Sequence, residues 1–105
     1  MKLQYTENGI HPRSLIGVDS LVVHNDLATI IHSDHEVECD VVIGDGSLIY
    51  LETDDLELCI KVCCEDGHII ILERRKKVCI VVKDGMIRIG DKQFPKLLSI
   101  DIQDC

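Results

Sequence analysis

Four turn pairs, Asn25-Asp26, Asp45-Gly46, Asp66-Gly67 and Asp84-Gly85, cut the chain into apolar runs too short for anything but strands. Such pairs suit tight hairpins because their backbones reach positive φ at low cost. The runs between them are rich in Val, Ile and Leu, and no stretch repeats its apolar residues every 3.6 positions. Strands are expected at Leu21–His24, Leu27–His32, Glu38–Ile43, Leu48–Glu52, Leu58–Cys63, His68–Glu73, Val78–Lys83, Met86–Gly90 and Leu98–Ile102. The fold class that follows is all-β, a sandwich of antiparallel strands.

At 105 residues the chain has room for one hydrophobic core, so residues 1–105 are read as a single domain. Strand alternation assigns Val41, Ile43, Ile60, Val62, Ile69, Ile71, Val81, Ile87 and Ile89 to that core. Several runs, such as Ile69-Ile70-Ile71-Leu72 and Cys79-Ile80-Val81-Val82, are apolar on both faces, which leaves a second face for another element or another subunit. Cys39, Cys59 and Cys79 fall twenty residues apart, each at a strand that leads into a turn. The glycines that follow do not keep this spacing, so the pattern reads as successive hairpins and not as repeat architecture.

Charge and aromatic content narrow the function classes. With 11 Lys and Arg against 19 Asp and Glu, the net charge of −8 repels phosphate backbones and anionic lipid. One Phe, two Tyr and no Trp leave few platforms for stacking bases or sugars. Nucleic acid and membrane surfaces are therefore not expected as partners. The basic run Arg74, Arg75, Lys76 and Lys77 reads as a solvated hairpin loop. No segment has the ~18 apolar residues of a membrane-spanning helix, and the N-terminus lacks signal-peptide order, so a soluble, cytosolic domain is expected.

A search for reactive groups yields no catalytic residue. His24, His32 and His35 lie among Asp26, Asp34 and Glu36, a mixture that suits a weak cation site, but both stretches are ordinary turn chemistry. Cys59, Cys63 and Cys64 cannot face one tetrahedral zinc, since in a strand the third points away from the first two. Five cysteines sit in or beside Val- and Ile-rich runs, so reduced core thiols are expected, with Cys105 exposed at the end. There is no Gly-rich phosphate loop and no nucleophile elbow. Neither an enzyme, a metal nor a cofactor is expected.

Two stretches carry a family likeness. The first is Ile31-His32-Ser33-Asp34, followed by Glu38-Cys39-Asp40-Val41-Val42-Ile43 and Asp45; the second is Val82 to Gly90, followed by Phe94. Their order and separation resemble a forkhead-associated domain, the phosphothreonine-reading β-sandwich. Residue by residue, the phosphate-reading positions fall on Ser33, Ile49 and Glu52, where the family has Arg, Ser and His. Those three residues supply the positive charge and donors a phosphate needs, and Ile49 and Glu52 supply neither.

A degenerate member of this fold, with Ser-Asp at the first turn, resembles the cytoplasmic N-terminal domain of the inner-membrane ring protein of type III secretion basal bodies. That likeness implies a non-enzymatic protein–protein assembly module without phosphothreonine binding, on the cytoplasmic side of the inner membrane. It also implies ring self-assembly, contacts with cytosolic export-apparatus proteins and a transmembrane helix beyond the domain. The loop carrying Glu52, Asp54 and Asp55, which would serve recognition in a working relative, is the candidate interaction loop. Two alternatives stand beside it: a phosphopeptide binder with its site relocated to Arg74–Lys77, and an acidic inhibitor of the phage type.

Overall fold

The computed structural model describes residues 1–7, 10–32, 38–64 and 66–105, with side chains for residues 1–6, 13–32, 42–64 and 66–105. It holds twelve strands: β1 (Lys2–Glu7), β2 (Ile10–Leu15), β3 (Val18–His24), β4 (Leu27–His32), β5 (Glu38–Val42), β6 (Leu48–Glu52), β7 (Leu58–Cys63), β8 (Ile69–Arg75), β9 (Lys77–Lys83), β10 (Met86–Ile89), β11 (Lys92–Pro95) and β12 (Ser99–Asp104). They form two six-stranded antiparallel sheets, one in the order β11-β10-β9-β6-β1-β2 and the other β5-β4-β3-β12-β7-β8. The expected all-β sandwich is the observed fold.

The sheets face each other across a core of Ile, Leu and Val. Alternation decides which residues enter it: in β7, Leu58, Ile60 and Val62 are buried while Cys59, Lys61 and Cys63 face outward. The central strands β6 and β12 supply Ile49, Leu51, Ile100 and Ile102, all essentially without solvent contact. Burying a side chain of this size contributes about 1.5–3 kcal/mol. Of the expected core, Ile43, Ile60, Val62, Ile87 and Ile89 are buried, and Ile71 packs against the core while half-buried. The side chain of Val41 lies outside the described residues.

Two core assignments are corrected. Val81 faces outward and its neighbours Ile80 and Val82 face in, because β9 is apolar on both faces and alternation alone does not fix its phase. Ile69 is 56% exposed, since β8 is an edge strand and a register shift at Val62/Cys63 displaces its start.

The strand orders carry an internal repeat. Adding six to every strand number of the first sheet, counting past β12 to β1, turns β11-β10-β9-β6-β1-β2 into β5-β4-β3-β12-β7-β8, the order of the second. Each half of the chain is thus a hairpin, a three-stranded meander and a single strand. The hairpin and single strand join one sheet while the meander joins the other, and the second half reverses the assignment. Local geometry follows the same rule. Asn25 and Asp84, at equivalent turns, both have φ of 54°. The amide of Ile43 donates to the Asp26 carbonyl at 2.7 Å, as that of Lys96 does to Gly85 at 3.3 Å. The strand order thus recurs once along the chain, and the twenty-residue cysteine spacing is unrelated to that recurrence. Each half leaves its meander in the opposite sheet, so neither half closes a core alone.

The turn pairs divide accordingly. Asn25-Asp26, Asp66-Gly67 and Asp84-Gly85 close hairpins, the last with positive φ at both residues. Asp45-Gly46 instead lies on the crossing from one sheet to the other. There the buried Ser47 accepts the Gly44 amide on its hydroxyl at 3.1 Å and the Val82 amide on its carbonyl at 3.0 Å. The basic run is likewise no hairpin: Lys76 is the single residue by which β8 leaves one sheet and β9 enters the other.

Candidate functional site

Strand pairing gathers several distant segments at one end of the sandwich. Val18 is in register with His32 and donates its amide to the Met1 carbonyl at 3.0 Å, while Lys2 is in register with Glu52. The β2–β3 turn, the N-terminus, the end of β4 at His32 and the β6–β7 loop therefore lie together. Between them is a groove of about 280 Å³ lined by Met1, Lys2, Ile16, Gly17 and Glu52 to Leu56.

The β6–β7 loop is held at both ends. The Thr53 amide donates to the Lys76 carbonyl at 3.0 Å, and the Cys105 amide donates to the Glu57 carbonyl at 2.9 Å. Between these anchors Asp54 and Asp55 are exposed, followed by Leu56 at 50% exposure, with Ile16 at 74% across the groove. Two large apolar side chains thus stand in water beneath an acidic rim. Exposed apolar surface rimmed by charge is a common mark of a protein contact. Glu52 itself is half-buried, with Lys2 and Lys77 opposite it on the two neighbouring strands.

The candidate interaction loop Glu52, Asp54 and Asp55 therefore forms one wall of the groove. Of the degenerate phosphate-site positions, Ile49 and Glu52 face opposite sides of β6. Glu52 lines the groove, Ile49 is buried in the core between Tyr5 and Ile80, and Ser33 lies outside the described residues. What the sequence reading missed is the far wall, Met1, Ile16 and Gly17, whose nearness depends on long-range pairing.

The cysteines require a correction. Cys59 and Cys105 form a disulfide, with Cα atoms 5.2 Å apart, closing the C-terminus onto β7. Cys63 and Cys64 are half-buried and Cys79 is exposed, so no cysteine with a described side chain is a core thiol. For Cys59, Cys63 and Cys79 the reason is strand phase: each alternates with a larger apolar neighbour that takes the core position, whereas Cys64 lies just past the end of β7. Cys105 is exposed, as expected, though bridged.

The other candidates disperse. His24 and His32 lie at opposite ends of the β3–β4 hairpin, and His35, Asp34 and Glu36 lie outside the described residues. Among the described residues no three His, Cys, Asp or Glu converge, and no helix is long and apolar enough to cross a membrane. The basic run is split. Arg74 stands opposite Cys59 on one sheet and Lys77 opposite Glu52 on the other, while Arg75 bonds Glu73 at 3.3 Å.

At the opposite end, Lys96 bridges Asp26 at 3.0 Å and Asp45 at 3.6 Å, tying a hairpin turn to two crossings. The hydrogen bond to Asp26 holds its ammonium above the usual lysine range, against a smaller desolvation effect. No family model, no curated protein and no solved structure matches the chain.

Proposed function

We propose that this domain is a non-enzymatic assembly module that engages a protein partner through the groove framed by Glu52, Asp54, Asp55 and Leu56. The observation that carries the reading is the β6–β7 loop, pinned at Thr53 and Glu57 with two carboxylates and an apolar side chain presented between. A pinned loop loses little entropy on binding, and the groove's chemistry suits a basic segment with an apolar anchor. On the sequence likeness of residues 31–34 and 38–45, the module is the cytoplasmic domain of a type III secretion inner-membrane ring protein. Its partners are then neighbouring ring subunits and export-apparatus proteins.

The phosphopeptide alternative rests on Arg74, Arg75, Lys76 and Lys77, which do not converge on one surface. The acidic-inhibitor alternative rests on net charge alone.

The test is a double charge reversal, D54K with D55K, in the protein that carries this domain. Glu52 is spared because Lys2 and Lys77 flank it and its reversal would disturb the sheet. Recovery of the protein in the assembled membrane complex should fall by about tenfold or more, while the circular dichroism of the isolated domain stays unchanged. Normal assembly of the reversed protein would show that the loop is not the contact.

A further inference from the structure

The Cys59–Cys105 bridge lies on the outer face of its sheet and not in the core. Cys59 alternates with the buried Leu58 and Ile60, and Cys105 follows the last residue of β12. Cys105 is exposed and Cys59 half-buried, so a small thiol in solution reaches the bond. The core around Leu58, Ile60, Ile100 and Ile102 is filled without either sulfur. Cys63 shares the face of Cys59 but stands four residues along the strand, about 13 Å away, and is no exchange partner for the bridge.

What the bridge holds is one end of the groove loop. The β6–β7 loop has two anchors, and only one depends on sulfur. The Thr53 amide donates to the Lys76 carbonyl on the crossing between the sheets, whereas the Glu57 carbonyl accepts the amide of Cys105 itself. In-register pairing of β12 with β7 stops at Asp104 and Leu58, and beyond it the bridge and this bond fix Cys105. Leu56, which lines the groove, is the residue before Glu57.

We infer that Cys59 and Cys105 form a thiol–disulfide switch for the groove: the loop is pinned at both ends when they are bridged and free at its Leu56 end when they are reduced. The switch presupposes the groove contact proposed above and its cytoplasmic setting, where disulfides are transient and redox-sensing more often than structural. One thiolate of a dithiol reductant attacks a sulfur of the bridge, and the mixed disulfide then resolves to the reductant's own disulfide. The Cys59–Cys105 S–S bond breaks, one S–S bond forms in the reductant, and two electrons and two protons pass to the protein, leaving two thiols. A small-molecule disulfide reverses the exchange. The bridged state binds the partner more tightly, because a pinned loop has less entropy to lose.

Backbone order parameters of the 105-residue chain, measured by NMR relaxation with and without a dithiol reductant, test the switch. On reduction Leu56, Glu57 and Cys105 should fall from about 0.85 to below about 0.6, while Thr53 and Ile60 keep their rigid values. Cys105→Ser should match the reduced chain whether or not reductant is present. Unchanged values at Leu56 and Glu57 would overturn the switch. So would a fall at every position, which would make the bridge a staple for the whole fold. In cells, a photoreactive residue at position 56 should give about tenfold more protein adduct after a thiol oxidant, and Cys105→Ser should abolish the increase. Equal yields with and without oxidant, or an increase that Cys105→Ser retains, would overturn the switch alone. No adduct in either state would overturn the groove contact on which it rests.

Discussion

Replacing Ile102 by Ala should cost about 2–5 kcal/mol of folding stability. Ile102 sits on β12, the strand on which one whole sheet is hinged, in register with Leu21 of β3 on one side and Ile60 of β7 on the other, and has no solvent contact. Truncation removes buried methyl groups and leaves a cavity that neighbours held in two ladders cannot fill by shifting. Domains of this size are stable by only about 5–15 kcal/mol, so the loss is a large part of the total. Urea titration should show a lower midpoint with an unchanged slope. The control is Ile16→Ala, at a site 74% exposed, which should change stability by about 0.5 kcal/mol or less. Equal effects at the two positions would mean that β12 is not the central strand described.

Breaking the Cys59–Cys105 disulfide should cost a comparable amount. The bridge spans a sequence separation of 46 residues, and chain-entropy arguments for a loop of that size give about 4 kcal/mol. Reductant, or Cys105→Ser, should lower the melting temperature by at least about 10 °C. Thiol titration of the unreduced, denatured chain should find two fewer thiols than the six cysteines of the sequence. All six titrating would show that the bridge does not form. The bridge also matters for the groove, since Cys105 donates the hydrogen bond that anchors Glu57. Reduction should therefore loosen the loop end that carries Leu56. In a reducing cytosol the same residues would stand as two adjacent thiols.

How much of this was legible in the sequence varied from strand to strand. β4, β6 and β7 coincide with the expected Leu27–His32, Leu48–Glu52 and Leu58–Cys63, because each is a short apolar run with a turn pair close to one end. β1, β2 and β11 were not anticipated. β1 shows apolar residues only at Leu3 and Tyr5, β2 contains a proline, and β11 buries only Phe94. Such strands are specified by the partners they pair with more than by their own pattern. The phase of β9 was ambiguous for the opposite reason, an excess of apolar residues on both faces.

The candidate site divided along the same line. The acidic loop at Glu52, Asp54 and Asp55 is contiguous in sequence and could be named from it. Ile16, Met1 and Cys105 reach it only through β1–β6 pairing and the closure of the C-terminus on β7, and nothing local announces either. The internal repeat was hidden because its halves share strand order and turn geometry while their residues differ. A longer β4–β5 connection in the first half also shifts the two out of a constant period.

The measurement that bears most directly on the proposed function is site-specific photocrosslinking in cells, with the reactive residue placed at Leu56 in the groove or at Asp84 in the turn at the far end. Protein adducts are expected from position 56, lost when D54K and D55K are added, and none from position 84. Equal adducts from the two positions, or none from position 56, would contradict the reading of the groove as the surface by which this domain is assembled.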